Sequence, residues 1–227
     1  VPEASIVKID DDIALDTAAL VGCGVTTGYG SVVRTGEVRD GDAVVVMGVG
    51  GIGMNAVQGA RIAGARVIVA LDPVEFKRKR SKEFGATHTA ATLEEAQALV
   101  ADLTRGAMAD VCVVTTDSAE GAYVAHGLSL VGKRGRVVMT AIPHPADMTV
   151  DMSLFDLTLY EKQVRGSLFG SSNPRRDIPR LLELHRSGQL KLDELITREY
   201  SLDEVNQGYA DMHDGLNIRG LIRYSGD

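Results

Sequence analysis

Two short stretches of the sequence carry residue types that could do chemistry: LVGCGVTTGYG, residues 20–30, and GVGGIG, residues 48–53. In the first, Cys23 lies between two glycines, just before a run typical of an apolar helix. A thiol at such a bend is accessible and suits a reactive or metal-binding role, whereas a structural thiol usually lies inside a β-branched run. The local sequence leaves both roles open.

The second stretch has the spacing G-x-G-x-x-G directly after the apolar run AVVVM. Its glycines allow, in order, a tight turn, close approach of the backbone to a pyrophosphate, and close packing of the following helix. The free N–H groups and the dipole at the start of that helix attract phosphate. We therefore predict that a dinucleotide binds to the glycine loop, which consists of Gly48, Val49, Gly50, Gly51, Ile52 and Gly53.

Asp72 ends the next apolar run, about 20 residues further on, where an acidic side chain binds both hydroxyls of a ribose. Alternatively, Asp72 could only cap the helix that follows Pro73, but this explains the aspartate and not the whole arrangement. An anionic Asp72 would repel a 2′-phosphate. The sequence therefore favours NAD over NADP.

Short apolar runs alternate with helical patterns from residue 43 onward. The predicted strands are 43–47, 66–71, 88–90, 110–114, 135–140 and 164–169. The predicted helices between them are 51–64, 74–84, 93–105 and 119–131. Continuous apolar strands separated by helices of this length predict an α/β fold with a doubly wound, six-stranded parallel sheet of the Rossmann type. Cys112 lies in the strand pattern DVCVV and is expected in the core. The C-terminal part adds predicted helices at 174–188 and 202–213 and a strand at 220–224.

Composition excludes several classes of function. The net charge of −7 argues against a nucleic-acid partner, since duplex binding depends on cationic contacts to phosphates. The one basic run, KRKRSK at 77–82, is predicted to be a solvated helix face. No apolar run approaches the roughly 20 residues of a membrane span. Two isolated cysteines and the lack of a signal peptide predict a cytoplasmic protein, and a start at Val1 suggests a piece of a longer chain.

The motifs GCGVTTGYG, GVGGIG, LDPVEFK and NIRGLIRY follow one another in an order that resembles the zinc-dependent medium-chain alcohol dehydrogenases. The similarity covers the whole chain. The stretches SLFDLTLYEK and RGSLFGSSNPRRDIPRLLEL resemble one branch, the actinobacterial nicotinoprotein alcohol dehydrogenases. Members of that branch hold NAD tightly and are assayed with a nitroso dye acceptor.

The resemblance implies a role for each candidate residue. Cys23 resembles the third protein ligand of the catalytic zinc, and a thiolate at an exposed bend suits a metal with one open position. Thr27 resembles the residue that packs against the nicotinamide ring, which makes it the catalytic candidate of this chain. Asp72 and Lys77 resemble the pair that binds the adenosine ribose. Arg219 resembles the arginine that reaches the pyrophosphate.

The resemblance also implies that the backbone at the ends of the fifth and sixth strands holds the nicotinamide carboxamide. These positions are Thr140, Ala141, Ile142, Ser167, Leu168 and Phe169. For Lys77 and Arg219 the spacing alone favours an ordinary surface charge, so only the resemblance supports their roles.

The family's other zinc ligands and its proton relay lie in an N-terminal barrel that this chain lacks. The five histidines occur in no ligand spacing and are expected at the surface or in loops. We therefore predict catalytic-domain remnants at 1–24 and 170–227 around a cofactor domain at 25–169. Apolar surface on 1–24 and on helix 174–188 should be exposed where the barrel would pack.

We therefore hypothesise that this chain is the cofactor-binding part of an NAD-dependent zinc alcohol dehydrogenase. The whole enzyme would act on a primary alcohol or aldehyde, and this chain would be inactive without the barrel. Two alternatives are a free-standing NAD-binding module without catalysis and a methyltransferase with a similar glycine loop. The segment MTVDM, 148–152, alternates apolar and polar residues. It predicts an edge strand through which a homodimer forms.

Overall fold

The computed structural model describes residues 1–3, 6–143, 149–150 and 152–224 and contains one large parallel sheet. Its strands lie in the order β3-β2-β1-β4-β5-β6, and every neighbouring pair is parallel. They are β1 (Ala43–Met47), β2 (Val67–Leu71), β3 (His88–Ala90), β4 (Ala109–Val114), β5 (Val131–Met139) and β6 (Gln163–Gly166). The predicted doubly wound α/β fold is confirmed. Its strand order reverses between β1 and β4, where such sheets bind ligands.

Helices cover both faces of the sheet, and further helices lie in the N-terminal and C-terminal parts of the chain. They are α1 (Leu15–Val21), α2 (Gly24–Gly30), α3 (Gly51–Ile62), α4 (Glu75–Phe84), α5 (Leu93–Leu103), α6 (Gly121–Leu130), α7 (Leu154–Thr158), α8 (Pro174–Arg186) and α9 (Val205–His213). A π-helical turn, Ser31–Thr35, continues α2. Among the helices of the described ranges, none has the length and apolarity needed to cross a membrane.

The strands form because valine-rich segments can be buried on both sides. In β1, Val44 and Val46 belong to one apolar cluster, whereas Val45 and Met47 belong to a second cluster on the other face. Alternate side chains of a strand point to opposite faces, so one continuous apolar run supplies both layers of the core. Cys112 of β4 is fully buried in the second cluster, as predicted.

A second, two-stranded parallel sheet pairs β7 (Ile196–Ser201) with β8 (Arg219–Arg223). The sequence pattern predicted β8 but missed β7. The segment ITREYS has no continuous apolar run, and only Tyr200 of its residues is buried. This small sheet matters for the site because it places Arg219 at the start of β8.

The expectation that α8 exposes an apolar face is wrong. Ile178, Leu181 and Leu182 are buried, at 8, 2 and 3 % exposure, in the same cluster as Val21 and Val25. Helices α1 and α2 of the same chain cover α8, so it needs no barrel to bury this face.

The N-terminal segment agrees with that expectation in part, because Ile6 and Leu15 are exposed. The domain limits at 24/25 and 169/170 remain predictions. In the predicted edge strand, Thr149, Val150 and Met152 belong to no strand, while Met148 and Asp151 lie outside the described residues.

Candidate functional site

The glycine loop joins the carboxyl end of β1 to the start of α3, at the point where the strand order reverses. Gly48 has φ 84°, and a Cβ there would lie 2.9 Å from the backbone nitrogen of Thr116. A Cβ on Gly53 would lie 2.0 Å from the carbonyl oxygen of Gly48. The fold itself therefore requires glycine at both positions.

Gly50 is different, because nothing in the protein requires it. Its φ of −75° is ordinary, and no heavy atom lies within 4 Å of a Cβ built there. Gly50 is also the N-cap of α3, and no side chain caps that helix. The open space therefore lies directly before a helix N-terminus, where uncapped N–H groups favour an anion.

The side chain of Arg219 packs against the glycine loop at Gly51. A Cβ on Gly24 or on Gly51 would lie 2.0 Å from its guanidinium group, so a side chain at either position would displace the end of the Arg219 side chain. Within the described residues, its side chain forms no hydrogen bond and no ion pair. Burial lowers the pKa of Arg219, and nearby Cys23 acts in the opposite direction. A partly buried cation without a carboxylate partner is costly, and an anion beside the loop would remove that cost.

Asp72 lies at the end of β2 and is 5 % exposed. Its carboxylate accepts the backbone N–H of Val49 at 2.9 Å and that of Val74 at 2.8 Å. An ionised carboxylate has about four lone-pair positions, so acceptor capacity remains for a ligand hydroxyl. The aspartate thus anchors the glycine loop and also holds the turn into α4, while its role at a ribose remains a prediction.

Lys77 and Arg78 lie in the first turns of α4, and the role of Lys77 at a ribose remains a prediction. The Cε atom of Lys77 lies 3.6 Å from a Cβ built on Gly215. It is Arg78 that hydrogen-bonds the carbonyl oxygens of Asp72 and Pro73, at 2.6 and 2.8 Å. Sequence reasoning missed Arg78, because nothing in the run KRKRSK distinguishes one cation from the next.

Thr27, Thr140 and Ser167 come together at the other end of the site. Helix α2 packs so closely on α3 that a Cβ on Gly28 would lie 2.1 Å from a backbone oxygen of α3. Ser31 then joins three segments: its hydroxyl donates to the Thr27 carbonyl at 2.7 Å, accepts from Thr140 at 2.9 Å and lies 3.0 Å from the Ser167 hydroxyl. Sequence reasoning missed Ser31, which lies only four residues after Thr27.

The remaining candidates in these two strand ends differ in exposure. Ala141 and Phe169 are partly buried, whereas the side chains of Ile142 and Leu168 are 77 and 87 % exposed. These two exposed apolar side chains follow closely in the chain after the buried hydroxyls of Thr140 and Ser167.

Cys23 is exposed and is the N-cap of α2, whereas burial raises the pKa of Cys112 to about 12. Within the part of the chain that the structure describes, no group of three or more His, Cys, Asp or Glu residues could hold a metal ion. Catalytic zinc sites take three protein ligands. Cys23 is thus an accessible thiol but not, with these neighbours, a zinc site.

A cleft of about 610 Å³ lies elsewhere, at the amino ends of β1, β4 and β5. Arg66, Lys133 and Tyr160 are among the residues that line it. It faces away from the glycine loop and shares no residue with the site described above.

The chain matches one protein family and several known proteins. Residues 51–187 match the model of the zinc-binding dehydrogenase family. The chain is 52 % identical over 227 residues to an NDMA-dependent alcohol dehydrogenase of Amycolatopsis methanolica, covering 100 % of this chain and 61 % of that protein. It is 47 % identical over 227 residues to alcohol dehydrogenase B of Mycobacterium tuberculosis, covering 100 % of this chain and 60 % of the relative.

A solved structure shows the same architecture. Benzyl alcohol dehydrogenase from Acinetobacter calcoaceticus superposes with a TM-score of 0.89 at 27 % identity, covering 96 % of this chain and 59 % of that one. The chain therefore spans about 60 % of the length of the relatives that it matches. The predicted resemblance, including its branch, is confirmed, and the methyltransferase alternative is excluded.

Proposed function

Because this chain belongs to the zinc-binding dehydrogenase family, we propose that its glycine loop binds NAD and that the whole protein transfers hydride between a primary alcohol or aldehyde and the nicotinamide. The observation that carries the proposal is the guanidinium of Arg219, which lies against Gly24 and Gly51 and forms no ion pair with any of the described residues. A pyrophosphate is the anion that this position would pair with, since the loop also opens onto the uncapped start of α3.

Different residues would bind different parts of the dinucleotide. The loop N–H groups and Arg219 would hold the pyrophosphate, while Asp72 and Lys77 would hold the adenosine ribose. Thr27 and the backbone of 140–142 and 167–169 would orient the nicotinamide. When bound, the nicotinamide supplies the hydride acceptor, and the contribution of this chain is to fix its orientation.

Cys23 is proposed as one ligand of the catalytic zinc in the whole protein. The described residues do not complete a site around it. The remaining ligands would come from an N-terminal barrel, as the family resemblance implies. We therefore expect this chain alone neither to retain zinc nor to oxidise alcohols.

The second candidate is an NAD-binding module without catalysis. The isolated position of Cys23 favours it, whereas the exposure of that thiol beside the site does not. Alcohol oxidation by a protein that contains both this chain and a barrel would exclude the module.

We also propose that the protein is a homodimer formed through the free edge of β6. Within the described ranges β6 pairs only with β5. Apolar side chains that are 37 to 75 % exposed lie nearby in the chain: Val150, Met152, Leu154, Phe155 and Leu159. A second copy related by a two-fold axis would cover them and pair both edges.

Titration with NADH, followed by the fluorescence of the nicotinamide, tests the proposed ligand. We expect saturable binding at one site per chain, which Arg219→Gln weakens. The matched control is Arg134→Gln, because Arg134 is 81 % exposed and pairs only with Glu161 among the described residues. An absence of saturable binding would overturn the proposal.

A further inference from the structure

Five side-chain hydroxyls form one connected group beneath the strand ends, which we call the hydroxyl cluster. Its members are Ser31, Thr35, Thr140, Ser167 and Ser171. The bonds are Thr140 to Ser31 at 2.9 Å, Ser31 to Ser167 at 3.0 Å, Thr35 to Ser167 at 2.8 Å, and Thr35 to Ser171 at 2.8 Å. All but Ser171 are buried. The cluster joins the π-helical turn after α2 to the ends of both β5 and β6.

The acceptor at Thr27 fixes the direction of every bond. A carbonyl oxygen can only accept, so the single proton of Ser31 lies on the Thr27 carbonyl. Ser31 must then accept from both Thr140 and Ser167. Ser167 in turn accepts from Thr35, which accepts from Ser171. Each hydroxyl donates once, and the whole chain of bonds points toward Thr27, an arrangement in which the bonds strengthen one another.

The turn that carries Ser171 is held in an unusual conformation. Phe169, Gly170 and Ser171 have φ values of 52°, 64° and 50° in succession. Left-handed backbone is uncommon for residues other than glycine and persists only where the surroundings hold it. Here a Cβ on Gly30 would lie 2.2 Å from the carbonyl oxygen of Gly170, so the turn is pressed against α2. The Ser171–Thr35 bond ties the turn to the cluster.

We propose that Ser31 and Thr35 are positioning residues for the nicotinamide end of the bound dinucleotide. This inference rests on the proposed function. The three segments that would meet the nicotinamide belong to α2, β5 and β6, and the cluster is bonded to all three through Thr27, Thr140 and Ser167. It thus sets their mutual spacing. Among the described residues, none of the side-chain hydrogen bonds of the cluster reaches Asp72 or the glycine loop, so the cluster should not influence how the adenosine half binds.

The experiment therefore compares a ligand that contains the nicotinamide with one that lacks it. Dissociation constants for NADH and for ADP-ribose, which lacks the nicotinamide, are measured for the chain and for Thr35→Val, Thr35→Ser and Ser31→Ala. Thr35→Val keeps the shape of the side chain but removes the donor to Ser167. Thr17→Val is the matched control. Thr17 is also buried, and its hydroxyl donates to Asp193, which does not belong to the cluster. Thermal unfolding without ligand shows that each variant is folded.

We expect Thr35→Val to weaken NADH binding by roughly 3- to 10-fold, as the loss of one neutral hydrogen bond does, with ADP-ribose binding unchanged. Thr35→Ser should restore NADH affinity, and Thr17→Val should leave both constants unchanged. Equal weakening of both ligands, or of neither, would overturn the positioning role. A parent chain that binds neither ligand would instead overturn the proposed function, and the inference would fall with it. If Ser31→Ala does not fold, the two Thr35 variants still decide.

Discussion

The carboxylate of Asp72 accepts a hydrogen bond from the backbone N–H of Val49 at 2.9 Å, across 23 positions of the chain. The residue proposed to bind the ribose therefore also holds the glycine loop in place. Removing its side chain disturbs both functions at once, so a loss of affinity alone cannot distinguish them. Asp72→Asn keeps the shape but replaces one of the two accepting oxygens with an NH2 group, so only a comparison of two cofactors isolates the effect of the charge.

Asp72→Asn should weaken NAD binding and reduce the preference for NAD over NADP. A hydrogen bond to a charged group contributes about 1.5–3 kcal/mol, so NAD affinity should fall at least about tenfold. NADP should lose less, because the carboxylate no longer repels its 2′-phosphate. Calorimetric titration of both cofactors measures this, and the ratio of the two dissociation constants isolates the charge. An unchanged ratio would contradict the assignment of Asp72 to the ribose.

Gly50→Ala should lower dinucleotide affinity while leaving the fold almost intact. The new Cβ meets no protein atom, and an alanine N-cap costs less than about 1 kcal/mol. A ligand in that space would meet the methyl group, at a cost of about 1–3 kcal/mol. Gly53→Ala is the contrasting variant, since its Cβ would strike the Gly48 carbonyl and lower the melting temperature instead. Normal NADH affinity in Gly50→Ala would show that no ligand approaches there.

Local pattern was enough to predict the six strands and the positions of the glycine loop and of Asp72 at strand ends, because each depends on residues close together in sequence. The hydroxyl cluster could not be predicted, since its central bonds join Ser31 and Thr35 to Ser167, 136 and 132 positions away. The burial of α8 was missed for the same reason. An amphipathic helix shows that one face will be covered but not by which segment, and here α1 and α2 cover it.

Alkylation should distinguish the two cysteines. Cys23 is exposed, whereas burial raises the pKa of Cys112 to about 12, so Cys112 has almost no reactive thiolate near neutral pH. Iodoacetamide should label the native chain once, on the peptide that contains Cys23, and Cys112 should react only after unfolding. Peptide mass spectrometry measures this, with Cys23→Ser as the control that takes up no label. Native labelling of Cys112 would contradict the burial of this thiol in β4.

Acid should weaken the attachment of α8 to the rest of the fold. Burial alone raises the pKa of Asp177, but hydrogen bonds from Arg176 and from the Asn173 N–H, together with the charge of Arg34, outweigh it and lower the pKa. A carboxyl whose pKa is lower in the folded state stabilises the fold above its unfolded pKa, about 3.9, and loses this contribution as the pH falls further.

The variant Asp177→Asn tests that attachment. It should be less stable than the parent by about 1–3 kcal/mol at pH 7, with the difference shrinking below about pH 4. Urea unfolding at a series of pH values gives both curves. Asp203→Asn is the control, because Asp203 is exposed and forms no ion pair among the described residues. If the difference in unfolding free energy between the parent and Asp177→Asn stayed the same at all pH values, the prediction would be contradicted.

The proposed dimer depends on apolar side chains that a single chain leaves uncovered. Leu154 and Leu159 on and after α7 are 75 and 64 % exposed, close to the free edge of β6 in the chain. Light scattering should give twice the chain mass for the parent. Replacing both leucines by glutamate should give monomers, since the interface would then bury unpaired carboxylates. Leu15→Glu is the matched control, being 80 % exposed on α1. A monomeric parent, or a dimer that survives the double leucine change, would refute this mode of assembly.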